Sequence, residues 1–218
     1  MGAEVRSSFE PRKTPVQARA AVTVEAIAEA TIQVLLSQGE GRLTTTRVAE
    51  RAGVSVGTLY QYYPNKQSLL FAVLEEHLGK VSMAVESACE RARHNPLPEM
   101  VREVVEAFVD AKMERPDVST ALYQIAADVG GPALVKQTNQ RTRKAVEAML
   151  QTAPAVSPPD RFAIEMMLSA MRGATRSALE TGASPAMVRK LRVHLVMMCQ
   201  AYLGAVTAPG AHAAKREA

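Results

Sequence analysis

The chain has 218 residues and no tryptophan, and its phenylalanines and tyrosines together number only nine. Apolar residues still make up 47% of it, enough to close a core, so wholesale disorder is excluded and a soluble globular protein is expected. Cysteine is almost missing: Cys89 and Cys199 stand far apart, with no CxxC and no Cys/His spacing. That gives no support to a disulfide framework or a zinc site, and both read as small buried apolar residues. There is no run of 18 or more uncharged apolar residues, and the first fifteen residues lack the apolar stretch of a signal peptide. The expectation is a cytoplasmic protein with no membrane partner. The four histidines, His77, His94, His194 and His212, fall in no HExxH pattern, and no GxSxG or P-loop accompanies them. No catalytic residue, metal site or cofactor is therefore expected. A dominant charge is lacking too: 26 Lys and Arg face 22 Asp and Glu. Residues 1–70 hold eight basic and six acidic groups, 71–95 three and four, and 96–218 fifteen and twelve, so charge alone locates no nucleic-acid face.

What is present is helical periodicity, broken at regular intervals by Gly39-Glu40-Gly41, Gly53, Pro64-Asn65, Asn95-Pro96-Leu97-Pro98, Pro116, Gly130-Gly131-Pro132, the stretch 153–160 and Gly182-Ala183-Ser184-Pro185. Between 22 and 36, Val22, Ala26, Ile27, Ala30, Val34 and Leu35 recur at three- and four-residue steps with Glu25, Glu29 and Gln33 between them, which predicts an amphipathic helix. The same period returns at Leu69, Val73, Leu74, Leu78 and Val81, and at Met100, Val104, Val105, Phe108 and Val109. Strand-like alternation is nearly absent. The expected class is all-α, with about nine helices, two of them very short, and no internal repeat. Residues 1–15 and 208–218 show no apolar periodicity and are expected to be disordered tails. Arg6, Arg12 and Lys13 suggest a basic arm, although a plain solvated tail is the simpler reading.

Residues 44–66, TTTRVAERAGVSVGTLYQYYPNK, carry the functional signal. Thr44 suits an N-cap, and Val48, Ala49 and Ala52 form an apolar edge behind it. Gly53 permits the positive φ that a tight interhelical turn needs, and Val54 can plug the angle. Ser55 is a second N-cap, opening a helix that Pro64 closes, with Leu59 facing inward. A small residue, a turn and an apolar plug in that order are what a helix-turn-helix requires. The second helix is too short and too polar to be a core helix, since Gly57, Thr58, Tyr60, Gln61 and Tyr62 cannot all be buried. Ser55, Thr58 and the free amides of its first turn suit phosphate and base contact in a major groove. Tyrosine hydroxyls and Lys66 can add contacts to the phosphate backbone. The alternative is that the tyrosines pack on the first helix and Lys66 is merely solvated.

The stretch RVAERAGVSVGTLYQYYPNKQSLLFAVL resembles the DNA-binding domain of the tetracycline-repressor-like (TetR) transcriptional regulators, whose pattern is AxxAGVSxGTLYxxFxxKxxLL. The likeness is close over roughly residues 20–75. It implies an all-helical dimer with a three-helix head and a larger helical body that holds an inducing ligand. It also implies that Thr44, Thr45, Ser55, Gly57, Thr58, Tyr60, Tyr62 and Lys66 occupy positions that meet DNA. Thr46, Val56 and Gln61 complete the candidate set. Tyr63 stands where phenylalanine is usual, Val56 replaces a lysine or polar residue, and Gln61 can read adenine.

Organisation follows: tails at 1–15 and 208–218, a helix-turn-helix head over 16–66, and a ligand-binding and dimerisation body over 67–207. The helix beginning at 66 and running to about 93 is long enough to serve head and body alike, so a tilt of it would move the head. Late helices at about 159–181 and 185–206 mix large apolar and small residues on more than one face. Phe162, Met166, Ala170, Gly173, Ala174, Ser177, Leu191, Leu195 and Met198 are the candidates for a four-helix homodimer interface. Closing the monomer core is the competing role. Met83, Phe108, Met113, Tyr123, Gln124 and Asn139 are the candidate ligand-site residues, mixing adaptable apolar groups with a few polar ones. Arg172, among apolar neighbours, suits an anion or, more simply, a surface salt bridge.

The function expected is a small-molecule-responsive regulator, a repressor that occupies a pseudo-palindromic operator in double-stranded DNA as a dimer. An architectural DNA-binding protein without an effector is the alternative, but leaves about 120 residues of helical mass unexplained. An enzyme using a body cavity is the remaining alternative, with no motif behind it.

Overall fold

The computed structural model describes residues 18–208. Arg6, Arg12, Lys13 and the expected tails lie outside these residues, Ala208 excepted. Nine α-helices and no strand occur among the described residues. They are α1 (Ala18–Gln38), α2 (Thr45–Ala52), α3 (Val56–Tyr62), α4 (Lys66–Ala92), α5 (Leu97–Met113), α6 (Pro116–Ile125), α7 (Gly131–Leu150), α8 (Arg161–Glu180) and α9 (Pro185–Thr207). The two very short helices of the sequence reading are α2 and α3, with eight and seven residues.

Short side chains start these helices by accepting from free first-turn amides. Thr44 accepts from the Arg47 amide at 3.3 Å, Ser55 from Thr58 at 2.9 Å, and Asn65 from Ser68 at 2.8 Å. Asp160 accepts from Ala163 at 2.7 Å and Ser184 from Met187 at 3.3 Å, which sets the starts of α8 and α9.

Two compact units emerge. The first comprises residues 18–78 and 117–135. Its core joins Ile27, Val34 and Leu35 of α1, Val48 and Ala49 of α2, Leu59 of α3 and Leu69, Leu70, Val73 and Leu74 of α4. Residues 20–38 of α1 are long and apolar enough to cross a bilayer by length and composition alone. Here the stripe Ile27, Ala30, Thr31, Val34 and Leu35 is buried in this core, while Glu25 and Glu29 are exposed. The sequence division placed 117–135 in the body. In the structure Val118, Leu122, Ile125, Val129 and Leu134 share the core of α1 and α4, a long-range packing that local periodicity does not reveal.

The second unit comprises residues 79–116 and 136–208. Its core is built on α5, whose Met100, Val101, Val104, Val105, Phe108 and Val109 are buried, with Val85 of α4, Val146 and Leu150 of α7, Ile164 and Met167 of α8 and Leu195 and Leu203 of α9 around them. Among the described residues, the one buried charged residue is Lys112 in the last turn of α5. Burial pushes its ammonium down to about 8. The boundary between the units falls between Leu78 and Gly79, inside an unbroken α4.

Two glycines are required by geometry. Gly53 sits at φ 68° and ψ 28°, and beyond it the Val54 amide bonds the Ala49 carbonyl at 3.0 Å, the six-to-one bond of a Schellman turn. Gly131 opens α7 so close to the preceding turn that an added Cβ would lie 2.3 Å from the Ala126 carbonyl oxygen. Gly53→Ala meets no atom within 4 Å. It is therefore expected to lower the unfolding free energy by only the backbone cost of the left-handed region, about 1 kcal/mol. Gly131→Ala must displace backbone and is expected to cost more, about 1–3 kcal/mol, as overpacking does. Urea denaturation of the two variants checks the order.

Candidate nucleic-acid interface

The Gly53 turn lets α2 and α3 meet at Ala49, which is fully buried, and Leu59 enters the same core with no exposure. Tyr63, where the resembling pattern has phenylalanine, is likewise buried, and its phenol is pushed up to about 12 by that burial. It therefore serves as core rather than as a contact residue. With Leu59 and Tyr63 turned inward, the opposite side of α3 carries Gly57, Tyr60 and Gln61, all exposed.

Two hydroxyl pairs decorate this side. Thr45 Oγ1 and Tyr60 Oη lie 3.1 Å apart, tying α2 to α3, and Ser55 Oγ lies 2.8 Å from Thr58 Oγ1. Each pair contains two hydroxyl protons and uses one in its internal bond. One O–H donor per pair is left to turn outward, which is the chemistry a phosphate oxygen or an acceptor on a base edge needs. Gly57 has no packing reason to be glycine: an added Cβ would meet only Ser55 Oγ, at an ordinary 3.6 Å. The absent Cβ leaves the outer side of α3 open there.

The structure thus brings Thr44, Thr45, Thr46, Ser55, Gly57, Thr58, Tyr60 and Gln61 to the exposed or half-exposed surface of the α2–α3 pair. Val56 and Tyr62 are drawn partly onto the head core instead. Lys66 is engaged: its Nζ donates to the Glu40 carbonyl at 2.8 Å and pairs with the Glu40 carboxylate at 3.2 Å, fastening the start of α4 to the turn before α2. Sequence reasoning missed Arg42 and Arg47, both exposed beside Thr44. The Arg47 Nη1 donates to the Arg42 backbone carbonyl at 2.6 Å, which holds the Arg47 guanidinium at the entry to α2. The signal was legible as G-R-L-T-T-T-R, two arginines flanking the cap.

In the second unit, a cavity of about 950 Å³ opens among α4, α5 and the start of α9. Of the six candidate ligand residues only Met113 lines it. Met83 is half-exposed on the outer face of α4, because Val81, Val85, Ala88 and Ala92 form that helix's buried stripe. Phe108 is core, and Asn139 is half-buried on α7. Tyr123 and Gln124 belong to α6, in the first unit. Within the second unit, Met83, Phe108 and Asn139 do not join Met113 at that cavity.

The candidate interface residues divide as well. Phe162 is 73% exposed, and Met166 and Met198 are close to half exposed, each far more than an apolar side chain needs for a monomer core. Gly173 and Ser177 are exposed on the same face of α8, while Ala170, Ala174 and Leu191 are half-buried. Leu195 is a correction: it is 3% exposed and, with Cys199 and Leu203 at four-residue steps, lies in the monomer core. Arg172 forms the expected surface salt bridge, to Glu165 at 2.6 Å.

Cys89 and Cys199 are buried, and burial lifts their thiols to about 12 and 11, which keeps them protonated and inert. No group of three or more His, Cys, Asp or Glu residues fit to hold a metal occurs among the described residues. His77 Nε2 lies 3.2 Å from Ser119 Oγ and joins α4 to α6 within the first unit.

Comparison with known proteins bears on both units. Residues 27–73 match the family model described as bacterial regulatory proteins, tetR family, and residues 96–203 match the one described as tetracyclin repressor-like, C-terminal domain. A curated relative is the HTH-type transcriptional repressor KstR of Rhodococcus jostii, 29% identical over 147 residues, which is 66% of this chain and 66% of that protein. Another is the HTH-type transcriptional activator FasR of Mycolicibacterium smegmatis, 33% identical over 78 residues, or 36% of this chain and 35% of that one. The chain thus spans under two thirds of the length of these relatives. The solved structure of a TetR transcription regulator from Haloarcula marismortui shares the fold, with a TM-score of 0.71 at 19% identity, covering 86% of this chain and all of that one. With one family model on the helix-turn-helix and a second on the helical body, the chain belongs to the TetR family of bacterial transcriptional regulators.

Proposed function

We propose that the protein is a homodimeric repressor that holds a pseudo-palindromic operator through α2 and α3 and is released when a small molecule binds its body. The observation that carries the DNA-binding part is the outward side of the α2–α3 pair, where two hydroxyl pairs each keep a spare donor around a glycine that the fold does not need. Ser55, Thr58, Thr45 and Tyr60 supply hydrogen bonds, Gln61 offers the bidentate pattern that suits adenine, and Arg42 and Arg47 supply charge. Lys66 acts from within the head, bracing the turn before α2. The repressor sense follows the longer of the two curated likenesses, to a protein named as a repressor.

Dimerisation is supported by Phe162, Met166 and Met198, an apolar set that water would otherwise cover. Two copies related by a two-fold axis would present two α3 helices to half-sites about 34–36 Å apart, one helical turn. Release has a thermodynamic requirement: ligand and DNA must weaken one another by the same factor.

Binding to a labelled fragment of DNA flanking the protein's own gene, over a salt series, tests the first part. Affinity is expected to fall steeply with salt and to exceed that for unrelated DNA by at least about 10³-fold, the low end for specific binders. Thr58→Ala and Tyr60→Phe should each weaken it about tenfold, the worth of a hydrogen bond to a charged group. Gly57→Ala is the sharper variant. It should raise stability by up to about 1 kcal/mol, because glycine is a poor helix former, yet weaken operator binding. Unchanged operator affinity in Gly57→Ala would remove the argument for close approach at that position. For the dimer, Phe162→Glu with Met166→Glu is expected to yield folded monomer by sedimentation. A variant that stays dimeric places the interface elsewhere.

A further inference from the structure

The cavity among α4, α5 and α9 is built from three helix faces, each with residues at three- and four-residue steps. α4 contributes Lys80, Ala84, Ser87 and Arg91, α5 with its C-cap contributes Ala107, Asp110, Ala111 and Glu114, and α9 contributes Pro185, Val188, Arg189 and Arg192. Small residues at Ala84, Ala107 and Ala111 leave room between the helices and make an apolar floor. The charges are uneven: four cations face two carboxylates. Asp110 is already paired with Arg192. Arg91 lies 3.7 Å from Glu103, both well exposed. That leaves Glu114 as the carboxylate lining the cavity that makes no ion pair among the described residues.

Two arginines of α9 are under-used. Arg189 has no ionic partner among the described residues. Arg192 meets Asp110 with Nη2, but its Nε is buried and has no hydrogen-bond acceptor. A buried N–H without an acceptor is an energetic cost, and an oxyanion that draws the guanidinium into the cavity would relieve it. Residues three apart on a helix are neighbours, so a single oxyanion can reach both guanidinium groups, and the planar donor array of arginine suits carboxylate and phosphate.

We propose that this cavity takes an anionic amphiphile, a molecule with one acidic head group held at Arg189 and Arg192 and an apolar portion laid against Ala84, Ala107, Ala111 and Val188. The volume of about 950 Å³ falls in the range of small-molecule sites. A cationic ligand is disfavoured by the excess of arginine and lysine, and a neutral one can accept a hydrogen bond but leaves the charge of Arg189 uncompensated. The regulatory meaning of the site rests on the ligand-released reading above, whereas its chemistry does not.

Calorimetric titration of the full chain tests the site directly, with decanoate, decyl phosphate, decanol and decyltrimethylammonium as probes below their micelle concentrations. Decanoate or decyl phosphate should bind in a salt-sensitive manner, and decanol and the cation at least tenfold more weakly. The stronger of the two acids tells carboxylate from phosphate selectivity. Arg189 is exposed, so Arg189→Gln should fold normally and bind the acidic probes about tenfold more weakly, while Arg189→Glu should narrow or reverse the preference over the cation. Equal affinity for decanoate, decyl phosphate and decanol, an unaltered acid affinity in Arg189→Gln, or no binding of any acidic probe overturns the proposal. Operator binding is measured separately. Acid binding at Arg189 that leaves DNA affinity unchanged would keep this site and sink release through it. DNA release by some other compound, with no acid binding, would sink this site and keep release.

Discussion

The arrangement of the head depends on one turn. Because Gly53 takes a left-handed conformation, the Val54 amide reaches back to Ala49 and the chain leaves α2 in a fixed direction. That direction puts Leu59 into the core with Ala49 and Val48, and the rest of α3 then has no freedom of phase. Thr45 and Tyr60, fifteen residues apart, come within hydrogen-bonding distance for the same reason. A side chain at 53 that resisted positive φ would loosen the crossing and, with it, every spacing that DNA contact needs. Pre-organisation of this kind matters because any ordering left to the moment of binding subtracts from affinity.

In the body the corresponding constraint is helical phase. α9 keeps one stripe inward along its length: Val188 and Arg192 line the cavity near its start, with Arg189 beside them, and Leu195, Cys199 and Leu203 continue the stripe into the core, while Met187, Met197 and Met198 are exposed to solvent. Under the proposals above, the same helix closes the monomer, holds the anion from the start of its inward stripe and offers its exposed methionines to a second copy. Methionine on the solvent-facing side suits a surface that must repack on association, since its unbranched side chain adapts to its partner.

The head was legible in the sequence because its determinants are local. Caps, the αL glycine, the small residue at 49 and the plug at 59 lie within sixteen residues, and each acts through its own backbone or that of the next helix. The body was legible only as helices. Its cavity depends on pairings such as Asp110 with Arg192, 82 residues apart, and no periodicity along the chain announces which helix faces will meet. Chemical type alone therefore misplaced Met83 and Phe108: the first lies opposite its helix's buried stripe, and the second is fixed in the core. Leu195 failed for a related reason, because an apolar residue on a two-sided helix does not declare which side it fills. Arg42 and Arg47 were overlooked because their charge is not part of a regional excess. Their position beside the Thr44 cap gives them weight.

Continuity of α4 supplies a physical basis for linking a body ligand to the head. Leu69, Leu70, Val73 and Leu74 are buried in the head core, and Lys80, Ala84, Ser87 and Arg91 of the same helix line the cavity. A molecule bound beside the second set can alter DNA affinity only to the extent that it prefers one setting of the helix over another. Tightness alone is not sufficient: a ligand that fits both settings equally shifts nothing. Shifting the balance from one setting nearly wholly to the other takes a preference of about 10⁴-fold, whereas a tenfold fall in operator affinity needs only about 1.4 kcal/mol of coupling. That smaller figure is about what one charge-assisted hydrogen bond contributes when it forms in one setting and not in the other. An arginine with a vacant buried N–H, on a helix packed against α5 in the same unit, is a group from which such a difference can arise.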